Sequence, residues 1–324
     1  MYSSVINLPV SIIIPNYNGA DVIRSSLAAV EDAACAYPGE CEIVVVDDAS
    51  QDDSLKLIAA HFPEFKVVVH TRNKGFAEAI HSGIRVSSNP IVVLLNTDVF
   101  PDCDFLLPLI QWFHYPDTFS VSPLITDRNG QPGRVSWNRG QIARGEIRKT
   151  NWDLETALDL AQPGAGLKSL YAQGGAAAYR KEMFLKLGGF LTIFKPFYYE
   201  DCDLGIRAWQ RGWKTYFEPA SVVVHDHRQG TIFRFFAANK IKVIKKRNRF
   251  YYLWLHLSWQ ILVFSHFPWI LLRLLGRLLK LDFAFICGFF SALPALAKVL
   301  KLRRQFGSPA AGKSLEDILM EINH

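Results

Sequence analysis

Cysteine is scarce and unpaired in this chain. The five cysteines, at 35, 41, 103, 202 and 287, form no CxxC motif. That pattern counts against a zinc module or a disulfide framework and points to reduced thiols in the cytoplasm. The N-terminus, MYSSVINLPVSIII, lacks the basic and long apolar segments of a signal peptide and reads as a lead-in to a strand. No repeat of fixed period is present, and the first 250 residues hold no low-complexity segment. A glycine-rich, lysine-containing phosphate loop is also missing near the first apolar run, which counts against a sugar-phosphate nucleotidyltransferase. Acidic residues are scarce only at one end. Residues 240–324 carry 14 Lys+Arg against 4 Asp+Glu, whereas residues 1–239 carry 22 against 26. Positive charge so placed suits an anionic membrane surface or nucleic acid.

The chain has 324 residues, half of them apolar, enough for one large domain or two smaller ones. Short Val/Ile/Leu runs at 10–14, 42–46, 66–70 and 91–95 alternate with helix-length segments at 21–36, 53–61 and 76–86. This alternation predicts βαβ units around a parallel sheet covered on both faces. In such sheets ligands bind beyond the carboxyl ends of the strands. Each run ends in polar or turn-forming residues: Pro15-Asn16-Tyr17-Asn18-Gly19, Asp47-Asp48-Ala49-Ser50, Thr71-Arg72-Asn73-Lys74-Gly75 and Asn96-Thr97-Asp98. Taken singly, these are turns and helix caps, with Ser50 and Asp53 as a possible capping box. Parallel strands would bring all four tips to one edge.

The second half is less regular. Residues 128–150 are rich in Arg, Gly and Asn and read as a long, basic, mobile loop of the kind that forms lids. Gly174-Gly175 before Ala176–Ala178 suggests a close backbone approach. Helical spacing follows Asp201, and TYFEPASVVVHDH reads as two short strands around a proline turn, ending in His225 and His227.

VSIIIPNYNG, EIVVVDDAS, NKGFAEAIHSGI and VVLLNTDV, followed in order by GGAAAYRKEMFLKLGGF, YEDCDLGIRAWQRGW and VVVHDH, resemble the successive motifs of family 2 glycosyltransferases with the GT-A fold. The resemblance spans roughly residues 9–230. It implies an α/β, Rossmann-like mixed sheet and an inverting transferase using a nucleotide-diphosphate sugar donor and a divalent cation, Mg or Mn. By the family pattern, Pro15, Tyr17 and Asn18 with Asp47 or Asp48 face the base and ribose, and Asn73 and Lys74 border the nucleotide. Asp98 reaches the metal, Gly174 and Gly175 lie on the acceptor side, and Asp201 beside Glu200 is the catalytic base. A histidine after the last strand can complete the metal site, His225 before His227. The chemistry is coherent, because a departing diphosphate gains charge that a hard cation neutralises, and an acceptor hydroxyl needs a base. The like charges of Glu200, Asp201 and Asp203 would raise at least one pKa.

Two departures stand out. Asn96 occupies the position of the family's first motif acid, and such Asn-x-Asp variants look like rhamnosyltransferase-type members, although Thr97 matches neither of their usual spellings. Residues 191–194, Leu-Thr-Ile-Phe, replace a segment where many members carry an acid.

Six cations lie in residues 240–249, ahead of a 23-residue stretch, 250–272, with no Asp, Glu, Lys or Arg. That length could span a bilayer, yet basic residues flank both ends and the stretch contains His256, Ser258, Gln260, His266 and Pro268. Two in-plane amphipathic or re-entrant helices on the cytoplasmic leaflet fit best, against a paired crossing or buried core helices. The expected organisation is a catalytic domain at 1–239 and a membrane-associated helical region at 240–324. The expected acceptor is a glycan or lipid-linked hydroxyl in cell-surface polysaccharide assembly, with no nucleic-acid partner. A non-catalytic membrane or nucleic-acid module would leave the four strand tips unexplained.

Overall fold

The computed structural model describes residues 7–133, 135–161, 166–226, 234–306 and 312–323. The chain opens with β1 (Val10–Asn16), α1 (Ala20–Ala36), β2 (Cys41–Asp47), α2 (Ser54–His61), β3 (Lys66–Val69), α3 (Phe76–Val86) and β4 (Ile91–Leu95). These form the parallel order β3-β2-β1-β4. Side chains alternate across the sheet. Val10, Ile12 and Ile14 face α1 residues such as Ile23 and Leu27, whereas Ile13, Val44 and Leu94 face Ile80 and Ile84 of α3. Both faces of β1, β2 and β4 are therefore covered, as their continuous apolar runs require. The same covering is expected of β3, but this strand lies at the sheet edge and leaves Val67 and Val69 exposed, because nothing among the described residues packs over that edge.

Next come β5 (Val99–Pro101), α4 (Leu106–Gln111), β6 (Thr118–Thr126), β7 (Arg139–Ala143), β8 (Glu146–Thr150), α5 (Leu154–Leu160), β9 (Leu167–Ser169), β10 (Ala176–Arg180), α6 (Lys181–Lys186), α7 (Glu200–Trp209) and β11 (Lys214–His225). β10 joins the sheet antiparallel to β4 and β6, and β11 runs parallel to β6. The sheet is thus mixed, with β5 and β9 both antiparallel to the long β11. The segment expected as two strands around Pro219 is this one strand, with its register shifted between Glu218 and Val222. The bend absorbs the proline without ending the strand.

The expected loop at 128–150 is instead ordered around the antiparallel β7–β8 hairpin. Its composition misleads because the hairpin's partners are distant in sequence. Gly145, at φ +67°, presses against the backbone of His266, where a Cβ would stand 2.4 Å from the His266 Cα. Arg249 and Arg273 both pair with the buried Glu146. Toward the C-terminus come the helices α8 (Ala238–His256), α9 (Trp259–Leu279), α10 (Phe283–Phe306) and α11 (Leu315–Asn323). The uncharged 250–272 stretch is not one helix. It breaks at Leu257 and Ser258, where the Ser258 hydroxyl caps the next helix by accepting from Ile261 N. Residues 250–257 are buried against Tyr171, Phe194, Ile206 and Trp209 in one continuous core. Beyond the break, α9 and α10 are long and apolar enough to cross a membrane, and they face outward. Phe264 is 81% exposed, Leu279 78% and Leu271 69%.

Candidate active site

The four strand tips do converge, and much of their polarity is spent on joining one another. At the β1 tip the Asn16 amide donates to Asp47 Oδ2 (2.8 Å) and to Ser50 Oγ (3.2 Å), while Asp47 Oδ1 accepts from Ser50 N. Asn18, at φ +50°, donates from its backbone to Ser50 Oγ and accepts from Gln51 N (2.7 Å). Ser50 thus bridges β1 and β2 and does not form the expected capping box; Asp53 makes no side-chain cap either. Asp48, 3% exposed, accepts from Lys74 N (2.8 Å) and Gly75 N (2.7 Å) and pairs with His70, whose other nitrogen meets Ser82. Asp47 therefore ties β1 to β2, and Asp48 shapes the turn that presents Asn73 and Lys74 to solvent. Pro15 and Tyr17 are half-buried at the same rim, with the Tyr17 ring 5.5 Å from Phe235.

At the β4 tip, Asn96 N donates to Gly175 O, and a Cβ on Gly175 would stand 2.5 Å from the Asn96 amide nitrogen. A side chain there would have to displace the Asn96 amide. Antiparallel pairing of β5 with β11 sets His225 opposite Val99 and brings its Nε2 to 3.2 Å from Asp98 Oδ2. Asp98 is 6% exposed. Two ligands about 2.1 Å from one ion, at a right angle, stand about 3 Å apart, so the pair fits a shared hard cation of octahedral preference. Among the described residues no cluster of three His, Cys, Asp or Glu surrounds such a point; donor phosphates and water would supply the other positions. His227 lies outside the described residues.

Gly174 continues the bridge, with its own Cβ position 3.7 Å from the Asp201 Cβ. Asn96, Gly175, Gly174 and Asp201 thus adjoin in succession, linking the β4 tip to the start of α7. That helix follows two consecutive left-handed residues, Tyr198 (φ 76°) and Tyr199 (φ 78°). Each costs on the order of 1–2 kcal/mol for a non-glycine residue. Nothing in the sequence signals this turn, because tyrosine is not a residue that favours it. Three acids occupy the first turn of α7, where the helix dipole favours negative charge. They part company electrostatically. Burial, then the Asp201 and Asp203 charges, push Glu200 up to about 8, and among the described residues its Oε2 meets no hydrogen-bond partner. Burial also works to raise Asp203, but the Arg207 guanidinium and a bond from His256 outweigh it and hold Asp203 below its ordinary value.

The raised Glu200 has a measurable consequence. Folded Glu200 keeps its proton up to about pH 8, whereas the unfolded carboxyl releases it near 4.5. Folding takes up a proton between those values, so this group's contribution to stability falls as pH rises through the window and is flat above it. The melting temperature of the wild type, relative to Glu200→Gln, should drop over that range. A difference that stays constant with pH would contradict it.

A mixed sheet of this order, with the polar tips of β1, β2, β3 and β4 at one edge and an acid-led helix beside them, is the GT-A architecture. The family model for glycosyl transferase family 2 matches residues 11–188, more than half of the chain, and the chain belongs to that family. A pre-mycofactocin glycosyltransferase of Mycobacterium tuberculosis is 28% identical over 227 residues, covering 68% of this chain and 43% of that protein. The chain therefore spans less than half the length of that relative. An O-antigen chain rhamnosyltransferase of Salmonella typhimurium is 23% identical over 225 residues, covering 68% of this chain and 67% of that one. Among solved structures, a mannosyltransferase from Pyrobaculum calidifontis in complex with GDP-Man and Mn2+ matches with a TM-score of 0.56 at 20% identity, over 93% of this chain and 79% of that one. At that identity the likeness speaks for the fold.

Proposed function

We propose that the protein is an inverting glycosyltransferase that moves a hexosyl or rhamnosyl group from a nucleotide-diphosphate donor to a hydroxyl of a glycan or lipid-linked acceptor, in cell-surface polysaccharide assembly. The observation that carries this reading is the Gly174–Gly175 bridge, which sets the Asp98–His225 pair and Asp201 on one edge. The donor lies along the β1, β2 and β3 tips, with Pro15 and Tyr17 at the base and Asn73 and Lys74 beside the nucleotide. Asp98 and His225 hold a divalent cation, Mn or Mg, which when bound neutralises charge on the departing diphosphate. Asp201 Oδ2 takes the proton of the acceptor hydroxyl, while Oδ1 accepts from Cys202 N (2.8 Å) and fixes the carboxylate. Attack from the Asp201 side, opposite the leaving diphosphate, inverts the anomeric centre. Neutral Glu200 adds no second charge next to the base. The Asn96 amide donates to a sugar hydroxyl or to Asp98; Asn-x-Asp at 96–98 and the Salmonella relative support a deoxyhexose donor.

In this reading the enzyme lies on the cytoplasmic face of the membrane, supported by the two outward-facing apolar C-terminal helices. The middle of α9 touches the polar hairpin through His266, whose Nδ1 bonds Gly145 O at 2.6 Å, and through Arg273 with Glu146. A crossing helix would drag that hairpin into hydrocarbon. An in-plane, monotopic placement instead leaves the outward apolar face in the lipid, with Lys280, Lys298, Lys301 and Arg304 near anionic headgroups.

The reading is tested by incubating the full chain with UDP-, GDP- and dTDP-sugars and following nucleoside diphosphate release. Release should require Mn2+ or Mg2+ and be abolished by a chelator. Asp98→Ala and His225→Ala should each weaken Mn2+ affinity by about tenfold or more, since each removes one protein ligand. Metal-independent release, or unaltered affinity in both variants, would reject the assignment.

A further inference from the structure

One stripe of α8 follows the approach to the catalytic helix almost residue by residue. Asn248, Tyr252 and His256 stand four residues apart and so share one face of the helix. All three are buried, Asn248 completely. Asn248 Nδ2 donates to Phe194 O, to Phe197 O (2.8 Å) and to Tyr198 O (3.1 Å). Its Oδ1 accepts from Arg247 Nε (3.0 Å) and Nη2 (2.9 Å), which fixes the amide orientation. Arg247 also donates to Lys195 O. The Tyr252 ring packs on Tyr199, with centroids 5.4 Å apart. His256 Nε2 meets Asp203 Oδ1 at 2.9 Å, and the other Asp203 oxygen holds Arg207 at 2.6 Å.

Between the short 3-10 turn at 192–194 and α7, the carbonyls of Phe194, Lys195, Phe197 and Tyr198 turn toward α8 and find their donors there. Buried carbonyls must find donors. Here the donors come from a helix that begins about forty residues later. Without them the turn has no reason to keep two non-glycine residues at positive φ, and relaxation there would move the first turn of α7.

We infer that Asn248, with Tyr252 and His256 on the same stripe, is a positioning residue that holds the Tyr198–Tyr199 turn and thereby aims Asp201 at the acceptor, so that α8 is part of the catalytic unit. This rests on the reading of Asp201 as the base. Asp201 itself bonds none of the three, so the stripe acts through the backbone that carries it.

The experiment compares full-length wild type with Asn248→Ala, and with Arg247→Met as a milder variant at the edge of the same cluster. Three quantities are read: turnover with the donor found in the panel, binding of Mn2+ with UDP or GDP, and amide exchange of peptides covering 197–204. Misplacement of a catalytic group by about 1 Å costs on the order of 10²-fold, so turnover of Asn248→Ala should fall by about that factor. Nucleotide affinity should stay within about twofold, because no residue of the stripe lies at the β1–β4 tips. Exchange at 197–204 should rise while that of β2 and β4 is unchanged. Arg247→Met should show the same pattern with a smaller loss, and it decides the matter if Asn248→Ala does not fold. Unchanged turnover, or lost turnover with unchanged exchange at 197–204, overturns the proposal. Asp201→Asn is assayed in parallel: if it keeps turnover, the base assignment fails, and the exchange data still report whether α8 holds the turn.

Discussion

Asp201→Asn is expected to lower turnover by about 10²–10⁴-fold, the range that a positioned general base contributes. The substitution keeps the shape of the side chain. The amide oxygen can still accept from Cys202 N, so the start of α7 keeps its geometry. What is lost is an oxygen able to take a proton. Binding of Mn2+ with nucleotide, titrated by calorimetry, should be unaffected, because Asp98 and His225 lie beyond the glycine bridge from Asp201. Wild-type turnover in this variant would remove Asp201 from the reaction. Loss of nucleotide binding along with turnover would make it a donor-site residue instead.

The second large effect concerns the C-terminal helices. A chain ending at residue 239 should fail to fold, and should not behave as a soluble catalytic fragment. Removing residues 240–324 strips the cover from Leu170, Tyr171, Phe194, Ile206 and Trp209, which share one core with Phe250, Leu253, Trp254 and Leu257. Burial of such a side chain is worth about 1.5–3 kcal/mol, so five of them rival the whole stability of a typical domain, about 5–15 kcal/mol. The Asp203–Arg207 pair would also lose His256. The proposed membrane attachment would use another part of the same helices. Phe264, Leu271 and Leu275 point outward, so changing all three to Glu should leave the melting transition in place and abolish flotation with anionic vesicles. A cooperative melt from the truncated chain would refute the shared core. Flotation by the triple variant would refute the lipid-facing assignment.

The first half of the fold was legible because its signals are local. Short Val/Ile runs, helical spacing and polar tips lie within a few residues of one another, and a parallel sheet brings the tips together without further instruction. Gly174-Gly175 also spoke plainly, since close approach is what glycine pairs permit. The hairpin at 139–150 was illegible for the opposite reason. Its residues are polar and small, and its burial is supplied by His266, Arg273 and α11, more than a hundred residues away. The C-terminal region misled in a subtler way. His256 and His266 looked like flaws in an apolar run, but each is a buried partner, of Asp203 and Gly145 respectively. Asn248 sat unnoticed among six cations, and its importance depends on a backbone turn at Tyr198 that no residue type announces.

The distance between the hairpin and its fasteners also sets a schedule. Arg139 is bonded by Asn323, made 184 residues later. At roughly 5–20 residues per second the interval is on the order of ten to forty seconds. In that time the β1–β4 sheet has all its own strands, whereas the hairpin and the tyrosine turn still wait for the helices that secure them. A nascent chain on the ribosome therefore holds the β1–β4 edge well before the first turn of α7 is secured, and the delay ends only when the apolar C-terminal helices have emerged.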